Sequence, residues 1–151
     1  MTLLKQKWEW NPKIKEDALN RGLGAEIRLL AAMRELPRLL EAREEQHESY
    51  ADYLAPADRS PQALLDAEMN LLAQIPSAEP SGKELSIAAK DRELRRLKAT
   101  DPDYLRVKAE CQDAALKLAR LNNDIEVCRA DIQGSKALLN WLTALIGEEG
   151  E

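Results

Sequence analysis

Phenylalanine is absent from this 151-residue chain, histidine occurs once, and aromatic residues make up only 4% of it. Any Ser-His-Asp or Cys-His arrangement would have to run through His47. Cys111 and Cys128 cannot build a disulfide framework, which points to a reducing cytoplasm. They would stand about 25 Å apart along one helix, far from the close spacing of a zinc site. No apolar run approaches the roughly 18 residues of a transmembrane helix. The opening Met1–Trp10 stretch turns charged before a signal-peptide apolar region can form. Gly22-x-Gly24 lacks the further glycine and the lysine of a phosphate loop, and reads as a turn between helices. The expectations are no membrane contact, no cofactor, no metal, no catalytic residues, and so not an enzyme.

What the chain does have is charge and apolar periodicity. Hydrophobic residues reach 44% and charged residues 32%, with a net charge of −5. The charge comes in blocks: residues 1–34 are basic, 35–80 acidic, 81–108 basic and 109–151 acidic. Alternation of this kind suits segments that pack on one another or on copies of themselves. Asn11-Pro12, Ser60-Pro61 and Asp101-Pro102 each place a capping residue before proline at a first helical position. Ser81-Gly-Lys-Glu84 has the spacing of a capping box. These marks predict helices over about 12–21, 25–54, 61–75, 83–99 and 102–146, with a kink or break at Pro37. The expected fold is all-α: an elongated helical hairpin or bundle with a long C-terminal coiled-coil helix. A tryptophan-containing segment (1–11) precedes the helical region 12–99, and an acidic tail (147–151) follows the last helix.

The strongest pattern lies in that last helix. Tyr104, Val107, Cys111, Ala114, Leu118, Leu121, Ile125, Cys128, Ile132, Ser135, Leu139, Leu142 and Ile146 fall at strict 3,4 spacing. Apolar heptads sustained that long predict coiled-coil packing. A weaker seam runs through Met33, Leu36, Leu40, Arg43, His47, Tyr50 and Leu54. Two arrangements satisfy both seams: an antiparallel hairpin within the chain, or self-association through the last helix. Flanking Asp103–Lys108, Asp124–Arg129 and Asp131–Lys136 pairs favour a parallel homo-oligomer, each by a few tenths of a kcal/mol.

Three further features are candidates for function. Glu44-x-x-His47 has the spacing of half a di-iron carboxylate site, but the chain holds no second histidine to complete it. Trp8 and Trp10, flanked by lysines, form either a staple over one end of the bundle, with Trp141 as its receiving surface, or a partner-binding peptide. Lys90, Arg92, Arg95, Arg96, Lys98, Arg106 and Lys108 surround the Asp101-Pro102 break and offer a basic bend to a nucleic-acid backbone.

The primary reading is a self-associating helical scaffold or adaptor that works through protein partners. In outline, with a helical front half and a C-terminal oligomerising helix, the chain loosely resembles phage recombination mediators. That outline implies the alternative, an oligomeric nucleic-acid accessory protein binding single strands through the basic bend.

Overall fold

The computed structural model describes the backbone of residues 12–150 and the side chains of residues 12–145. Trp8, Trp10, the Asn11 cap and the Ile146 side chain lie outside the described residues. The protein is 84% helical, with four helices and no strand among the described residues. They are α1 (Pro12–Ser49), α2 (Gln62–Gln74), α3 (Ile87–Thr100) and α4 (Pro102–Gly150), with a 3-10 turn at Ala51–Tyr53. The long C-terminal helix packs against the N-terminal one, so the hairpin closes within the chain.

Helix α1 corrects two expected boundaries, because 12–21 and 25–54 form one helix that ends at Ser49. It runs through Gly22, Gly24 and Pro37 without a break. Pro37 cannot donate to the Met33 carbonyl. Both residues face outward, where water can take that carbonyl's hydrogen bond.

The helix expected from residue 83 begins instead at Ile87, where the Ser86 hydroxyl accepts from Ala89 N at 3.1 Å. Ser81–Glu84 is used in a tight turn: Glu79 N donates to Lys83 O (2.7 Å), and Leu85 N to Ser77 O (3.1 Å). Gly82 takes φ +84° there, a conformation open to glycine at little cost. Asp101 caps α4 as expected, its Oδ1 accepting from Asp103 N (2.9 Å) and Tyr104 N (3.2 Å). The supposed tail at 147–150 continues α4.

Two compact units divide the chain, one of residues up to Ala42 with those from Leu121, the other Arg43–Arg120. In the first unit the two long helices run antiparallel. Gly22 lies against Leu142, and ten residues further along α1, Ala32 O accepts from the Cys128 thiol at 3.1 Å. Ala18, Leu138 and Leu142 pack together beside the glycine.

In the second unit, Gln46 Nε2 donates to Ala114 O at 3.3 Å. There α2 packs on the 3-10 turn and on α3, burying Leu71, and Lys98 Nζ lies 3.1 Å from the Glu68 carboxylate. Tyr50 and Tyr53 meet edge-on, with the Lys117 ammonium 5.8 Å from the centre of the Tyr50 ring. The neighbouring Glu110 carboxylate raises the Tyr53 phenol above its ordinary pKa.

Candidate interaction surfaces

The α4 seam is withdrawn from solvent along its described length. Cys111, Ala114, Ile125, Cys128 and Leu142 are buried, as are Tyr104 and Ser135. Val107, Leu118, Leu121, Ile132 and Leu139 are partly buried. Toward the C-terminal end the buried face widens to take in Leu138 and Leu145. Serine at 135, the one polar residue of the stripe, is small enough to fit. Burial raises the Cys111 thiol above its ordinary pKa, and both cysteines are free. A buried, protonated thiol behaves as a small hydrophobe.

On α1 the observed seam differs from the expected one. Its inward residues include Ala18, Gly22, Ala25, Leu29, Ala32, Leu36, Leu39, Arg43 and Gln46, again at 3,4 spacing. Leu40 also lies partly inside, whereas Met33, His47 and Tyr50 face outward. Alanine and glycine bring the α1 backbone close to the bulky residues of α4. A methyl group added at Gly22 would stand 2.9 Å from Leu142 Cδ1.

The large apolar residues of α1 point the other way. Leu19, Leu23, Ile27, Leu30 and Met33 are each 49–60% exposed. Their spacing of four, four, three and three residues gathers them into one stripe on the outer face. Helix α1 therefore carries two apolar faces, a small-residue face packed on α4 and a large-residue face in solvent. Sequence periodicity missed the division because it weights size, and here the large residues are outside.

Other expected features are more dispersed. Glu44 and His47 are exposed, and among the described residues no group of three His, Cys, Asp or Glu side chains converges on a metal position. Among the described residues, no helix is long and apolar enough to cross a membrane.

Three of the seven cations around the bend have carboxylate neighbours: Arg96 with Glu93, Lys98 with Glu68, and Arg106 with Glu110. The hydrogen bond from Arg96 holds the Glu93 carboxyl below its usual range. Lys90, Arg92, Arg95 and Lys108 are exposed. Trp141 is half-exposed on α4.

Comparison with family models, curated proteins and solved structures finds no match. The surfaces must be interpreted from their own chemistry.

In the first unit a groove runs between α1 and α4 on the side away from the α1 stripe. It is lined by the apolar Ala31, Ala32, Leu39, Val127 and Cys128 and by the charged Arg28, Glu35, Asp124 and Asp131. A smaller one on the other side is lined by Leu19, Leu23, Leu139 and Leu142 together with Glu26 and Thr143, and it shares Leu19 and Leu23 with the apolar stripe.

Proposed function

We propose that this protein is a non-catalytic helical scaffold or adaptor that associates with itself and acts through protein–protein contacts. The observation that carries the proposal is the second apolar face of α1. Five large side chains stay half-exposed on it after the α1–α4 seam is complete. Contiguous apolar surface of this kind marks interaction sites in folded proteins. A ridge along a helix suits another helix, as in groove-and-ridge packing. The last helix offers its seam to α1 of its own chain, so pairing copies through that seam would require the hairpin to open. A cytoplasmic setting belongs to the same reading, supported by two free thiols.

The test is the mass in solution across a range of concentrations and at low and high salt. Apolar self-association gives a mass above 17.0 kDa that persists in salt. A mass of 17.0 kDa at every concentration would remove self-association from the proposal.

A second reading, a nucleic-acid accessory protein, is favoured by the exposed Arg92 and Arg95 on α3. It expects single-stranded DNA binding that falls steeply with salt and weakens on charge reversal at both positions. The ion pairs that engage Arg96, Lys98 and Arg106 reduce the charge open to phosphates, which ranks it second.

A further inference from the structure

We infer that the outer stripe of α1 is a homodimer interface, in which two copies of α1 pack antiparallel about a two-fold axis near Ile27. The inference deepens the self-association proposed above and rests on it, naming both the face and the occupant.

The first argument is size and shape. Leu19 to Met33 extends about 20 Å along a helix, and the flanking turns lengthen it further. Five half-exposed large side chains on each of two copies, with their flanks, bring the buried surface to the order of 1,000 Å², where specific interfaces begin. A two-fold contact presents the same ridge from both sides, and the spaces between side chains three and four residues apart can receive the side chains of the second copy.

The second argument is charge. Charged residues around the stripe are Lys13 and Glu16 toward one end, Arg38 and Glu41 toward the other, and Glu26 and Arg34 between them. Antiparallel pairing centred on Ile27 sets Lys13 opposite Glu41 of the second copy, and Glu16 opposite Arg38 of the second copy. Glu16 would then share Arg38 with Glu35, the exposed intrachain partner of Arg38 at 3.3 Å. Symmetry repeats each match, giving four opposite-sign pairs around the apolar ridge. In the interior, Leu23 meets Leu30 of the second copy. In-register parallel pairing sets each of these charges level with its own copy, so that Lys13 meets Glu16, and Arg38 meets Glu41, only across an offset of about 4.5 Å along the axis. Exposed pairs contribute little affinity, but they decide orientation and register. The occupant that the charge pattern fits is therefore a second copy of this chain.

The experiment compares the full-length chain with three variants, using sedimentation equilibrium, circular dichroism and air oxidation. Ile27 is 60% exposed, so Ile27→Lys should keep the helicity of the wild type. The wild type should approach twice 17.0 kDa with rising concentration, and Ile27→Lys should weaken dimerisation at least tenfold. Ile27→Cys, near the axis, should form a disulfide-linked dimer on oxidation. Leu19→Cys should not, because the two introduced thiols would lie far apart. The native cysteines are both 6% exposed and should stay silent.

A wild-type dimer unmoved by Ile27→Lys would overturn this interface while leaving self-association standing. A monomer at all concentrations, including one whose stripe is covered by residues 1–11, would overturn both. Equal cross-linking by Leu19→Cys and Ile27→Cys would overturn the antiparallel register.

Discussion

Replacing Gly22 with alanine sets two effects of similar size against each other. In a helix interior the change gains about 1 kcal/mol, because alanine loses less backbone freedom on folding. The new methyl group, however, would stand 2.9 Å from Leu142 Cδ1, against an optimal carbon–carbon separation of about 3.5–4.0 Å. Leu142 is only 5% exposed and packs against Ala18 and Leu138, so it cannot simply swing into water. Overfilling of this kind costs about 1–3 kcal/mol, which leaves the variant between unchanged and about 2 kcal/mol less stable.

Gly24 supplies the control, since a methyl group there meets nothing within 4 Å. Gly24→Ala should gain the full amount of about 1 kcal/mol. The contrast between the variants is then about 1–3 kcal/mol, or roughly 2–12 °C in thermal midpoint for a chain of this length. Thermal and urea unfolding followed by circular dichroism would measure it. Shortening the opposing side chain with Leu142→Val should recover part of the loss in the Gly22→Ala background. If Gly22→Ala raises the midpoint as much as Gly24→Ala, the close approach of α1 to α4 is wrong.

Ile125 is 1% exposed, so Ile125→Asp should cost several kcal/mol and abolish cooperative unfolding; unchanged helicity and midpoint would mean that the seam register is misplaced. Asp101→Ala should cost about 1 kcal/mol through loss of the α4 cap, while Asp101→Asn should retain most of it; equal losses in the two unfolding curves would show that the cap is not the cause. Burial raises the Cys111 pKa, so folding favours the thiol over the thiolate. Its influence is absent below the unfolded thiol pKa of about 8.5, and stability falls as pH rises through the alkaline range above it. Cys111→Ala should flatten that decline in midpoint-versus-pH curves, and an unchanged slope would assign it elsewhere.

Helix α4 was legible because its seam is built from large residues. Ile125, Leu118 and Leu142 announce the inward face by hydrophobicity alone, and Asp101-Pro102 marks its start. Helix α1 was legible as a helix but not in its facing. Ala18, Gly22, Ala25 and Ala32 bury little area each, so they barely register in a hydrophobic pattern, whereas Leu23 and Ile27 dominate it from the solvent side. Gly22 shows the ambiguity most clearly. Its missing side chain reads in sequence as freedom for a turn, while its use is room for Leu142 beside an unbroken helix. Pro37 misled for a related reason, since a lost backbone donor is tolerated where the orphaned carbonyl faces water. Periodicity places Leu23 and Ile27 on a common face without saying whether α4 covers it, so the outer stripe shows only in the structure.

The contact between Ala32 and Cys128 joins residues 96 apart in the chain. During synthesis at about 5–20 residues per second, α1 leaves the ribosome several seconds before the part of α4 that covers it. For that interval the face that α4 covers is open as well as the outer one. The nascent chain is thus most vulnerable to aggregation while its middle is being made. A chaperone that binds exposed helical ridges would find its target in α1, and would be displaced from the inner face once the final helix arrives.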